Sequence, residues 1–113
     1  FDPAPIAWLR ENAPGLVRIP ASITSSALRI PKLLREYFLG RLPDPVVLFV
    51  HPWEFVDFRQ SSLRYDCRFR TGQPALDALA SVIGYFKGRG ATFMTMRDLG
   101  AQVKDAQLKG AAA

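Results

Sequence analysis

The stretch Val46-Val47-Leu48-Phe49-Val50-His51-Pro52-Trp53-Glu54 decides how we interpret the fold of this sequence. Its first five residues are apolar without alternation, which is typical of a strand buried on both faces in a parallel sheet. Pro52 fixes its own φ and lacks a backbone N–H donor, so we expect the strand to end before it. His51 therefore stands at the carboxyl end of a strand, where parallel α/β folds place their active sites.

Strand-prone and helix-prone segments alternate on both sides of this strand. We predict strands over 16–19, 46–50 and 91–94, a long loop over 52–72, and helices over 5–12, 31–39, 74–88 and 96–107. Such alternation predicts a parallel sheet with right-handed crossovers. Three strands leave two sheet edges without partners, so we expect a further amino-terminal segment to pair with them. Phe1 in place of a methionine also suggests a piece of a longer chain.

The predicted helices carry apolar stripes and terminal signals. A stripe on the second helix consists of Leu33, Leu34, Tyr37 and Phe38. The helix that starts at Pro74 should bury a face made of Leu76, Leu79, Ala80, Ile83 and Phe86, and should end at Gly88 and Gly90. Thr95 and Asp98 have the spacing of a helix cap, and we expect residues 108–113 to fray.

Composition argues against several classes of function. The 113 residues are 49% hydrophobic and 22% charged, as in an ordinary globular chain, and no apolar run is long enough to cross a membrane. The single cysteine, Cys67, allows no internal disulfide. The net charge of +5 is spread along the chain in ones and twos, so we expect no nucleic-acid partner.

His51 is the only histidine, and histidine is the side chain best suited to proton transfer near neutral pH. Trp53 is either an anchor of the loop in the core or an apolar platform against a sugar ring. Glu54 is either a solvated loop residue or a residue that orients His51 or Arg64. No His-x-x-x-His spacing, no Asp-Asp pair and no glycine-rich phosphate loop occurs in the sequence.

Residues 48–54, together with residues 78–99, resemble the end of a NodB-homology domain, the domain of the polysaccharide deacetylases of carbohydrate esterase family 4. The His-Pro-Trp-Glu variant resembles the branch of the family associated with exopolysaccharide and lipopolysaccharide-type gene products, and residues 17–22 resemble the preceding strand of that branch. The resemblance implies an α/β fold in which 1–113 is the carboxyl-terminal part of a distorted parallel (β/α) barrel, incomplete in this chain. Phe49 departs from the family, which often has leucine there.

The resemblance also implies a function. His51 would be the general acid in metal-dependent removal of N- or O-acetyl groups from a carbohydrate, with Trp53, Glu54 and Pro20 as substrate-binding candidates. The divalent metal, expected to be zinc, would take its ligands from a missing amino-terminal segment, because this chain contains no Thr-Phe-Asp-Asp or His-x-x-x-His motif.

Two alternatives stay open at this point. One is a non-catalytic carbohydrate-binding or scaffold domain with the same barrel. The other, weaker because the sequence has no phosphate loop, is an independent flavodoxin-like or nucleotide-binding unit. The compartment is also open, since deacetylases of this type occur both inside cells and in the envelope.

Overall fold

The computed structural model describes residues 16–112, with the side chains of 16–110. Its elements, in chain order, are β1 (Ile23–Thr24), a 3₁₀ turn (Ser25–Arg29), α1 (Lys32–Leu39), β2 (Leu48–Phe49), a second 3₁₀ turn (Pro52–Phe55), α2 (Tyr65–Arg68), α3 (Gln73–Gly88) and α4 (Met96–Ala112). The helix predicted over 5–12 lies outside the described residues. They fall into two compact units, Ala21–Ala91 and the described parts of Phe1–Pro20 with Thr92–Ala113.

The prediction that this chain forms the carboxyl-terminal part of a parallel (β/α) barrel is wrong. The described residues are mostly helical, and their one sheet contains two strands. Segments 16–19 and 91–94, both predicted as strands, adopt no regular structure. The physical reason is that a strand is completed by hydrogen bonds to a neighbour, whereas a helix satisfies its own backbone. Neither segment has a neighbouring strand in the described part of the chain.

β1 and β2 pair in parallel, with Ile23 opposite Leu48 and Thr24 opposite Phe49. The Ser22 side chain extends the pairing, because its hydroxyl accepts the N–H of Val47 at 3.0 Å. The backbone N–H of Ser22 donates to the Val47 carbonyl at 2.8 Å. β2 lies inside the strand predicted over 46–50, so the apolar run did identify the position of a strand, although only two of its residues pair.

The core of the unit Ala21–Ala91 lies between the first 3₁₀ turn, α1 and α3. Its buried centre consists of Leu28, Leu39, Ala78 and Val82, and Ile23 and Leu48 of the sheet pack against it. The opposite face of the sheet, which carries Thr24 and Phe49, is exposed. The two-stranded sheet therefore has one face on the core and one face open, as the alternation of side chains along a strand requires.

The predicted helix α3 is confirmed, but the prediction of its buried face is wrong. The residues it buries are Ala75, Ala78 and Val82, while Leu76 and Ile83 are 43% and 44% exposed. Leu79 and Phe86 are partly buried against the core. Apolar residues occur on most sides of this helix, so their spacing alone does not select a face. The small side chains of Ala75 and Ala78 allow close packing, which decides which side turns inward.

The carboxyl end of α3 is confirmed in detail. Gly90 has φ +75°, a conformation that favours glycine. The N–H of Gly90 donates to the Lys87 carbonyl at 3.1 Å, and the N–H of Ala91 donates to the Phe86 carbonyl at 3.0 Å. These two bonds form a Schellman motif, which satisfies the last carbonyls of the helix.

In the second unit, α4 begins after Thr95, whose hydroxyl accepts the N–H of Asp98 at 3.1 Å, so the Thr95 half of the predicted capping box is confirmed. Leu99 and Val103 form its buried side. α4 extends past its predicted end at Gln107 to Ala112. The predicted fraying of 108–113 concerns motion and stays a prediction. In the described range, no helix is long and apolar enough to cross a membrane.

Candidate functional site

His51 lies directly beyond β2, after Val50, with an extended backbone (φ −100°, ψ 134°). Because β1 and β2 are parallel and in register, both carboxyl ends point to the same edge of the sheet. Each strand is followed by a 3₁₀ turn, which begins at Ser25 after β1 and at Pro52 after β2. The His51 side chain is exposed. The sequence therefore placed this histidine correctly at a strand end, although the surrounding barrel is absent.

Four aromatic rings, from the end of β2 and the residues that follow it, contact one another in a continuous row. The ring of Phe49 meets that of His51 edge to face at 4.9 Å, and the imidazole stacks on the indole of Trp53 at 5.8 Å with an interplanar angle of 19°. Trp53 in turn contacts Phe58 at 6.3 Å. We call Phe49, His51, Trp53 and Phe58 the aromatic row.

The exposure of the row shows which alternative for Trp53 the structure favours. Trp53 is 40% exposed and Phe49 is 50% exposed. An anchor in the core would be buried, whereas part of the Trp53 indole is open to solvent. Trp53 therefore lies at the surface as part of the aromatic row.

Glu54 holds the turn that carries His51. Its Oε2 accepts the backbone N–H of His51 at 2.9 Å, and its Oε1 lies 3.8 Å from Nη2 of Arg29. The Glu54 carbonyl accepts the N–H of Gly72 at 2.9 Å. The residue is 4% exposed, so it is one of the few charged side chains that the structure buries. Glu54 therefore contacts His51 through the backbone, and it is buried, so the alternative of a solvated loop residue is wrong.

Arg64 was another predicted partner of Glu54. Arg64 instead pairs with Asp66 at 3.1 Å, on the exposed surface. Arg29 takes the place of Arg64, and the Arg29 guanidinium also donates to the Asp66 carbonyl. Arg29 comes from the 3₁₀ turn that follows β1, so the contact joins the two strand ends. Pro20 is exposed and belongs to the other compact unit.

The loop that follows Glu54 is closed by residues that sequence reasoning missed. The backbone N–H of Phe58 donates to Thr71 Oγ1 at 3.1 Å, and the Thr71 hydroxyl donates to the Arg68 carbonyl at 3.1 Å. Thr71 is 1% exposed. A threonine between Arg70 and Gly72 gives no sequence signal of this role. A sequence signal for the aromatic row was present in the alternate positions of Phe49, His51 and Trp53, although Trp53 lies in the 3₁₀ turn and not in the strand.

Asp57 and Arg59 form an ion pair beside the aromatic row. Arg59 Nη2 lies 2.6 Å from Asp57 Oδ2, and Arg59 Nε donates to Oδ1 at 2.9 Å. The hydrogen bonds from Arg59 lower the pKa of Asp57 to about 2. Both side chains are exposed, so the pair fixes the local loop geometry and adds little to stability.

The described residues do not fit a metal ion. Among residues 16–112, no group of three or more His, Cys, Asp or Glu side chains is arranged to hold one. The neighbours of the imidazole are the rings of Phe49 and Trp53, which are not ligands. The divalent metal implied by the resemblance therefore stays a proposal for the complete protein.

Comparisons of this chain with protein-family models, with curated proteins and with solved structures gave no match. A proposal of function therefore depends on the site itself, namely on one exposed histidine, a row of rings and a buried glutamate that fixes the turn.

Proposed function

We propose that this chain supplies the general acid and part of the sugar-binding surface of a carbohydrate deacetylase. The substrate is an N- or O-acetylated carbohydrate. Hydrolysis adds water across the bond between the acetyl carbonyl carbon and the sugar nitrogen or oxygen, and it releases acetate. In this proposal the imidazolium of His51 donates its proton to the departing sugar amine or alcohol.

The observation that carries the proposal is the combined position and exposure of His51. It stands at the carboxyl end of a parallel strand, its side chain is exposed, and its backbone is fixed by the buried carboxylate of Glu54. A general acid must reach the leaving group and must be held in a fixed position. A structural histidine would more often be buried and bonded within the core.

The second support is the stacking surface beside the acid. Sugar rings present apolar C–H faces, and half-exposed aromatic rings are suited to pack against such faces. Trp53 stacks on the imidazole itself, so a sugar on the indole would lie next to His51. The resemblance of residues 48–54 to the His-Pro-Trp-Glu segment of polysaccharide deacetylases agrees with both roles. The proposal needs the strand end and the turn, and it does not need the barrel.

A non-catalytic carbohydrate-binding module is the second candidate. It is supported by the exposed rings of the aromatic row, which suit the face of a sugar whether or not His51 transfers a proton. The two candidates share the sugar surface and differ in the role of His51. A binding module would use the imidazole as one more flat ring, whereas the enzyme would use its proton.

The experiment compares three forms of the complete protein, namely the wild type, His51→Ala and Trp53→Ala, on an acetylated oligosaccharide. Acetate release is followed with zinc present, and binding is measured on the same oligosaccharide. We expect His51→Ala to lower kcat by about 10²–10⁴-fold. Trp53→Ala should mainly raise KM.

Binding by the wild type without acetate release, and with an unchanged affinity in His51→Ala, would favour the non-catalytic module. The absence of both binding and acetate release would exclude both candidates.

A further inference from the structure

A pocket separate from the aromatic row lies between the first 3₁₀ turn and α1. It has a volume of about 260 Å³. Most of its wall is apolar and comes from Ile23, Ala27, Ile30, Phe38 and Leu39. The volume is near the lower end of the range for ligand sites, so a small molecule would fill it.

The one charged residue in the wall of this pocket is Arg35, which lies on α1 and is 4% exposed. Its Nη1 donates to the Ile30 carbonyl at 3.0 Å. Its Nε is buried and has no hydrogen-bond partner in the described part of the chain. A buried guanidinium normally pairs with a carboxylate, because burying an unpaired charge is costly. Within residues 16–112, no acidic side chain forms an ion pair with Arg35.

Two charged side chains, Arg70 and Glu36, act on the guanidinium of Arg35. Burial and the repulsion from the nearby Arg70 both lower the pKa of Arg35, and attraction from Glu36 opposes them. Glu36 is the neighbour of Arg35 in sequence, but its carboxylate lies 3.9 Å from Nζ of Lys32 on the outer side of the helix. The acid that acts on Arg35 is therefore itself paired with a lysine, and no acidic side chain lines the pocket among the described residues.

We propose that this pocket binds a small monocarboxylate with an apolar body. The carboxylate pairs with the guanidinium of Arg35, and the apolar body occupies the space between Ala27, Ile30 and Phe38. Apolar walls disfavour phosphate, because a strongly hydrated dianion would lose its water without gaining enough partners. A carboxylate carries one charge, and it matches the planar donor edge of an arginine. This site is independent of His51 and of the deacetylase proposal.

The test is a titration of the 113-residue chain with hexanoate and, separately, with 1-hexanol, followed by NMR of the backbone amides. Hexanol has the same chain without the charge. We expect hexanoate to shift the amides of Ile23, Ala27 and Phe38 and to bind at least about tenfold more tightly than hexanol, as expected of a charge-assisted bond. Equal affinities, or no saturable binding of hexanoate, would overturn the proposal.

Two variants and one control sharpen the result. Arg35→Met should bind hexanoate and hexanol equally. Arg41→Met removes the same charge from an exposed arginine that lies 3.5 Å over the Tyr37 ring, and it should keep the preference for hexanoate. If Arg35→Met does not fold, Ala27→Leu fills the pocket and leaves Arg35 in place. Unchanged hexanoate affinity in Ala27→Leu would show that binding occurs elsewhere.

Discussion

Glu54 Oε2 lies 2.9 Å from the backbone nitrogen of His51, and this hydrogen bond ties the candidate acid to a buried carboxylate. The Glu54 side chain is 6% exposed and pairs through its other oxygen with Arg29. The backbone of His51 is therefore held by a residue three positions further along, which is itself paired with an arginine from the other strand end. This one contact joins the strand end, the 3₁₀ turn and the candidate acid.

Removing the Glu54 carboxylate should destabilise the chain. Glu54→Ala leaves the His51 N–H and the Arg29 guanidinium without their partner, so we expect the free energy of unfolding to fall by about 1–3 kcal/mol. Glu54→Gln keeps an acceptor oxygen and should cost less. Glu36→Ala is the control: Glu36 makes a helix-surface pair with Lys32, so its loss should cost under about 0.5 kcal/mol. Urea denaturation measures all three, and equal costs for Glu54→Ala and Glu36→Ala would disprove the anchoring role of Glu54.

The Asp57–Arg59 pair predicts a pH effect at the acid end of the scale. The folded-state pKa of Asp57 is lowered from 3.8 to about 2, so its contribution to stability is complete above about pH 4 and is lost as the pH falls through about 2. The carboxyl carbon of Asp57, followed by NMR, should titrate near that value. Arg59→Gln should return the midpoint toward 3.8. A midpoint that Arg59→Gln does not move would mean that the hydrogen bonds are not formed in solution.

Truncation of two leucines of α1 should have very different effects on stability. Leu39 is 3% exposed and belongs to the core, whereas Leu33 is 82% exposed. Leu39→Ala should therefore lower the free energy of unfolding by about 2–5 kcal/mol. Leu33→Ala should change it by no more than about 0.5 kcal/mol. Thermal or urea unfolding of the pair checks which face of α1 is inside, and a larger loss for Leu33→Ala would reverse the assignment.

Two glycines provide a matched test of the backbone. Gly72 has φ +75°, and an added Cβ would lie 3.1 Å from the Cα of Asp57, so Gly72→Ala should destabilise by more than about 1 kcal/mol. Gly84 lies inside α3 with nothing within 4 Å of an added Cβ, so Gly84→Ala should stabilise by about 0.5–1 kcal/mol. A lower melting temperature for Gly72→Ala and a higher one for Gly84→Ala would support the close packing of Gly72 against Asp57 in the loop that follows Glu54. An unchanged melting temperature in Gly72→Ala would count against that packing.

The sequence predicted the helices better than the sheet. α1, α3 and the start of α4 follow from local signals, such as Gly90 after α3 and Thr95 before α4, because helices and caps depend on neighbouring residues. The segments 16–19 and 91–94 are apolar and β-prone, yet strand formation depends on a distant partner that local pattern cannot supply. The inference of a barrel failed at this step.

The candidate site was predicted only in part, because some of its contacts join residues that are distant in sequence. His51 was found because the end of an apolar run is a local feature, and Trp53 because it follows His51 in the same segment. The pairing of Glu54 with Arg29, and the closure of the loop by Thr71, join residues that are distant in sequence. No periodicity marks such contacts. The role of Glu54 could be suspected from the sequence, whereas its partner could only be seen in the structure.

The most direct test of the central claim uses the leaving group. General acid catalysis matters for a poor leaving group, such as a sugar amine, and matters little for one that departs as a stable anion. The complete protein and its His51→Ala variant are therefore compared on an N-acetylated oligosaccharide and on 4-nitrophenyl acetate. We predict that His51→Ala lowers kcat/KM by about 10²–10⁴-fold on the oligosaccharide and by less than about tenfold on the activated ester. Equal losses on both substrates, or no loss on the oligosaccharide, would contradict the assignment of His51 as the general acid.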